Sequence, residues 1–161
     1  MSTHIAEVRW ELAGEDFRGG KYSREHLWTF DGGVTVPASS SPQVVREPFS
    51  NPAHVDPEEA FVAAIASCHL LTFLHLASRK GIEIRRYTDS AIGSMTKNER
   101  GTPWVSKVVL RPRIEYAEGS RPSPEVEAAL HHAAHEQCFI ANSVKTEIVV
   151  ESSGLPLQPV R

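Results

Sequence analysis

A chain of 161 residues with 40% hydrophobic content is about one domain, with enough apolar material for a real core. Acidic and basic residues are intermixed to a net charge of -3, with no lysine/arginine block or basic stripe, which argues against nucleic acid as a partner. The opening MSTHIAEVRWELAGEDF has no positive stretch followed by an apolar one, so no secretion signal is expected and a cytoplasmic setting is the default.

Ile5, Glu7, Arg9 and Glu11 alternate with Ala6, Val8, Trp10 and Leu12, the pattern of a half-buried strand. RGGKYSREH reads as a turn into a second strand, HLWTF, which ends at Asp31-Gly32, and VTVPA follows as a third. Together they predict a meander. The segment SSSPQVVREPFSNPAHVDPEE, with Pro42, Pro48, Pro52 and Pro57, is a long surface connection, and connections of that length are usually functional or disordered.

Asp56-Pro57-Glu58-Glu59 is a helix start, with Asp56 as N-cap, proline at the first position and carboxylates facing the helix dipole. The helix is expected to run to about Lys80 and stop at Gly81, with Arg79 and Lys80 at its C-terminal end. Its longest apolar run, residues 60–77, is interrupted by Ser67, Cys68, His69, Thr72 and His75, which favours a buried core helix over a membrane span. IEIRRYTDSAIGSM and WVSKVVLRPRIEY, joined at KNERGTP, read as a hairpin. A second helix is expected from Pro122 to about His135, then a last strand, VKTEIVVES. Residues 1–151 are read as a single domain and 152–161 as a C-terminal tail. The order β-β-β-α-β-β-α-β, with strands in runs, predicts an α+β fold with antiparallel pairing.

The first helix is apolar on nearly every face, so protein should enclose it on most sides. One small antiparallel sheet covers only one side. The simplest source of the missing surface is a second copy of the chain, so a homodimer built around central helices is expected.

The chemistry-bearing residues are the two cysteines, Cys68 in AIASCHLLTFLHLA and Cys138 in HHAAHEQCFIANS. Free cysteine often simply fills buried space. Two in a chain without a signal peptide are otherwise more often free or catalytic thiols than structural bridges. A nucleophilic Cys68 would need a cation, an arginine or a protonated histidine, to stabilise its thiolate. His131, His132, His135 and Cys138 fall within eight residues and, with Cys68, His69 and His75, raise a zinc alternative. Against it, there is no CxxC or HExxH, and adjacent Cys68 and His69 point about 100° apart on a helix. The simplest place for His131 and His132 is the surface. Glu58 stands ten residues before Cys68, about 15 Å along a continuous helix, so it can act on that thiol only through a long side chain or on a partner subunit.

YSREHLWTFDGG at 22–33, DPEEAFVAAIASCHLLTFLHLASRKGI at 56–82 and HHAAHEQCFIANSVKTEI at 131–148 resemble the osmotically inducible protein C and organic hydroperoxide resistance family (OsmC/Ohr), which are cysteine-based peroxidases. With the intervening strands these pieces cover almost the whole chain, and SREH with CHLLTFL is similar to one branch of the family. The resemblance implies two chains intertwined around central helices, with active sites at the subunit interface. It implies Cys68 as the peroxidatic and Cys138 as the resolving cysteine, with Glu58 pairing an arginine, best matched by Arg24 in YSREH and rivalled by Arg18 in FRGG. It implies an organic hydroperoxide as substrate, an external dithiol (a lipoyl-type one among the candidates) as reductant, a role in oxidative stress defence, and no metal, flavin or haem. Phe61, Ile65, Phe73 and Phe139 are the candidate lining of an apolar substrate pocket. The alternative is a zinc-binding or non-catalytic interaction protein on the same scaffold.

Overall fold

The structure, a computed structural model, describes residues 2–14, 16–152 and 155–156. Its contacts divide into two compact units, residues 1–60 and 61–161.

The first unit is the expected meander. Strands β1 (Ala6–Arg9), β2 (His26–Phe30) and β3 (Thr35–Ala38) pair antiparallel in that order, with Val8 opposite Trp28 and Trp28 opposite Val36. The β-branched and aromatic residues of HLWTF and TVPA suit a pleated sheet, and the turn at Gly33 closes with its N–H on the Phe30 carbonyl. The long connection after β3 is pinned rather than loose. Ser39 donates its N–H to the Val55 carbonyl at 3.0 Å, its Oγ accepts from the Asn51 N–H at 3.0 Å, and Ala38 bridges Val55 in parallel. Trp10, Phe17 and Tyr22 form an aromatic cluster, Phe17 and Tyr22 with centroids 4.7 Å apart.

Helix α1 (Pro57–Arg79) starts on a reciprocal capping box, the Glu59 N–H on Asp56 Oδ1 at 2.8 Å and the Asp56 N–H on Glu59 Oε2 at 3.2 Å. It stops where expected. Gly81, at φ 71°, donates to Ser78 O and lets the Ile82 N–H reach back to Ala77 O, which satisfies carbonyls the helix leaves open.

In the second unit α1 buries one stripe, Ile65, His69, Phe73 and Ala77, at four-residue spacing. The stripe enters two cores. Ile65 joins Val108, Leu110, Ile148 and Val150, while Phe73 and Ala77 join Leu130 and Ala134. His69 lies one turn from each. By length and composition α1 could cross a membrane; within this unit its buried stripe packs into the two cores.

The expected long hairpin forms, but it breaks into two sheets. Its base is β4 (Ile84–Asp89) with β7 (Pro112–Tyr116), and its tip is β5 (Ile92–Lys97) with β6 (Pro103–Leu110). At the corner the Arg111 N–H turns to Asp89 Oδ1 at 2.7 Å, and Pro112, which has no N–H to donate, opens the next strand. Gly93 sits where β5 meets α1: a Cβ there would lie 2.5 Å from Val62 Cγ2. The tip sheet continues β5-β6-β8-β9, with β8 (Glu147–Ser152) parallel to β6 and β9 (Leu155–Pro156) antiparallel to β8. The parallel pair departs from all-antiparallel pairing. A connection through β7 and helix α2 (Pro124–Gln137) is long enough to bring β8 back in the same direction. Of the expected tail, residues 155 and 156 pair with β8, while residues 153–154 and 157–161 lie outside the described residues.

Candidate active site

Cys68 stands midway along α1 and is half-buried; its carbonyl accepts from Thr72 Oγ1 at 2.9 Å. Cys138 is the C-cap of α2 and is 1% exposed. The segment after it is folded around the helix end. Asn142 Nδ2 donates to the carbonyls of Glu136 (2.8 Å) and Cys138 (2.9 Å), supplying donors where the helix has none left. The Ala141 N–H points at Cys138 Sγ from 3.4 Å. Both cysteines are free, and Cys68 is near enough to Cys138 to perturb its thiol. Burial, and then the neighbouring Cys68, push the Cys138 thiol up to about 11, with the Ala141 N–H pulling the other way. Two thiols seventy positions apart therefore lie near each other, one half-buried and the other enclosed and protonated at neutral pH.

Beside them, His69 Nε2 and His131 Nδ1 hydrogen-bond at 3.1 Å, with 1% and 0% of each residue exposed. The His131 ring stacks on Phe73 at 4.3 Å. Burial holds both imidazoles neutral, His69 down to about 3 and His131 to about 4, and for His69 the neighbouring His131 and His135 add to the effect. His69, although next to Cys68 in sequence, is thus not a cation for its thiolate. The surface position expected of His131 is wrong: it lies beside the Leu130, Ala134, Cys138 stripe that α2 turns inward, and that four-residue spacing was the available signal.

The other candidates are dispersed. Glu59 serves the capping box, which leaves Glu58 free of that duty. Glu58 is half-buried and, among the described residues, makes no ion pair or side-chain hydrogen bond. Arg24 is half-buried, donates through Nη1 to the carbonyls of Gly20 (3.0 Å) and Tyr22, and lies 3.7 Å over the Tyr22 ring. Arg18 is exposed. Ile65 and Phe73 are enclosed in different cores, Phe61 packs against the first of these, and Phe139 is 83% exposed. The histidines behind the zinc alternative diverge. His131 turns inward to His69, whereas His132 faces solvent beside Glu136 at 3.4 Å. Among the described residues, no group of three or more His, Cys, Asp or Glu side chains is placed to hold a metal.

The sequence profile of the OsmC-like protein family matches residues 50–153. Among solved structures, an OsmC-like protein of unknown function from Vibrio cholerae is 50% identical, covering 94% of this chain and 99% of its own, with a TM-score of 0.92. An organic hydroperoxide resistance protein OsmC from Legionella pneumophila is 20% identical (94% of this chain, 96% of its own; TM-score 0.66). The organic hydroperoxide resistance protein OhrB of Bacillus subtilis, also 20% identical, has the same coverage and a TM-score of 0.61. No curated protein gives a significant sequence match. The profile spans more than half of the chain, and the α+β fold with its two helices is shared with these structures: the chain belongs to the OsmC-like protein family.

Proposed function

We propose that this protein is a thiol-dependent peroxidase that reduces organic hydroperoxides to alcohols in oxidative stress defence. One observation carries the reading: a half-buried Cys68 thiol set near an enclosed Cys138 thiol, close enough to perturb it. The family, and the hydroperoxide-resistance names of two structural neighbours, fit it.

The Cys68 thiolate attacks the distal oxygen of the hydroperoxide. The O–O bond breaks, the alkoxide takes a proton and leaves as the alcohol, and Cys68 is left as a sulfenic acid. Cys138, still protonated, attacks the Cys68 sulfur. The sulfenic hydroxyl leaves with the Cys138 proton as water, and a Cys68–Cys138 disulfide closes. An external dithiol, of lipoyl type or similar, reopens the bridge by exchange and is itself oxidised. Two-electron thiol chemistry of this kind requires no metal, flavin or haem.

Since the buried imidazoles are neutral, the thiolate's cation is an arginine, Arg24 held by Glu58 in this reading. Among the described residues Glu58 has no ionic partner, which suits an active site completed by a second subunit. So does α1, which leaves Ala64, Ser67, Leu71 and His75 exposed, Leu71 at 64%. In the working homodimer a second copy covers that face, Phe61 and Phe139 flank the peroxide, and the enzyme operates in the cytoplasm. The test is consumption of cumene hydroperoxide with dithiothreitol as reductant. Turnover exceeds that of hydrogen peroxide and disappears in Cys68→Ser. Full turnover in that variant overturns the reading, and a solution mass equal to a single 17.8 kDa chain overturns the dimer.

A further inference from the structure

We propose that the His69–His131 pair is the positioning device that holds the Cys68 and Cys138 thiols in register for disulfide closure, an inference that rests on the thiol-peroxidase reading. A disulfide forms only when its two Cα atoms stand within a narrow range, about 4.4–6.8 Å, with their Cβ vectors facing. Here the two cysteines belong to different helices, and apolar packing alone lets helices slide or rotate by fractions of a turn. The pair supplies the missing direction. His69 follows Cys68 directly, and His131 stands seven residues before Cys138, close to the same face of α2. Their 3.1 Å bond is, among the described residues, the one side-chain hydrogen bond that joins α1 to α2.

The surroundings fit a registration role better than a packing role. His69 sits between the two cores that share α1, where a leucine would join Ile65 and Phe73 without difficulty. Instead two imidazoles are buried at the cost of their hydration, and His131 Nε2 has no hydrogen-bond partner among the described residues. One ring must donate and the other accept, so the bond forms at one relative placement of the helices and is lost on slippage. The pair touches neither sulfur in the reaction and acts only through the helices.

The test is the effective concentration of the Cys68–Cys138 pair, measured in glutathione redox buffers, which needs no peroxidase activity. His69→Leu combined with His131→Leu replaces the pair by apolar groups that still fill the space. This double variant is expected to fold yet lose effective concentration by about tenfold or more. His69→Gln puts an amide where Nε2 was and is expected to stay within about threefold of wild type. Wild-type effective concentration in the double leucine variant overturns the proposal, as does a tenfold loss in His69→Gln; the latter arm decides alone if the double variant does not fold. Should the wild type consume no hydroperoxide while its disulfide closes readily in glutathione, the peroxidase reading falls and the positioning role stands.

Discussion

Acid should weaken this protein through the two buried histidines. His69 and His131 are held well below 6.5 in the folded chain, at about 3 and about 4, because burial penalises their charged forms. Unfolding exposes them and restores ordinary imidazole behaviour. Between pH 6.5 and the folded values the unfolded state therefore binds more protons, so stability rises with pH in that window. It is complete above 6.5 and is lost as pH falls below it. Between pH 7.5 and 5.5 an unfolded imidazole gains about 1 kcal/mol from protonation while the folded one gains almost nothing, so the pair contributes a loss of about 2–3 kcal/mol. That is a large fraction of a typical domain stability of about 5–15 kcal/mol. Urea unfolding of the wild type and of the double His69→Leu, His131→Leu variant at both pH values measures it, since the variant subtracts every other titrating group. Parallel losses in the two proteins, differing by less than about 0.5 kcal/mol, would refute the buried neutral pair.

Three further outcomes follow from particular contacts. Gly93→Ala drives a methyl into Val62 and should cost about 1–3 kcal/mol in chemical denaturation; Val62→Ala in the same chain should recover much of it, whereas additive losses would show that the approach of β5 to α1 is relaxed. Asp56→Ala removes the acceptor for the Glu59 N–H and should lower stability by about 1 kcal/mol, while an unchanged denaturation midpoint would show the cap to be idle. Cys138→Ser should complete one turnover and then accumulate sulfinic acid on Cys68 as peroxide is added, visible as about 32 mass units. Sustained turnover in that variant would show that Cys138 resolves nothing.

Local signals carried much of the fold. HLWTF is a strand over the same five residues, and Asp56 and Gly81 bound α1 as cap and stop. These are properties of neighbouring residues, so the sequence displays them. The failures are long-range. Nothing near Arg111 announces that one hairpin will divide between two sheets, because the break depends on Asp89, 22 positions away, taking its N–H. The parallel match of Val108 with Ile148 is likewise a matter of how α2 returns the chain. At the site, each cysteine alone reads as filler, and their pairing is implied by family resemblance rather than by spacing. The His69–His131 bond joins residues 62 apart, and no pattern in either helix predicts it. The pairing of Arg24 with Glu58 is not formed within the chain, where Arg24 is engaged by backbone carbonyls and the Tyr22 ring.

The central claim is that Cys68 and Cys138 are the two halves of one redox centre, and intact-mass spectrometry after one equivalent of cumene hydroperoxide tests it most directly. The reduced chain should lose about two mass units, with peptide mapping placing the bridge between Cys68 and Cys138. An unchanged mass with both thiols still free, or oxygen added to Cys68 without a bridge to Cys138, would contradict it.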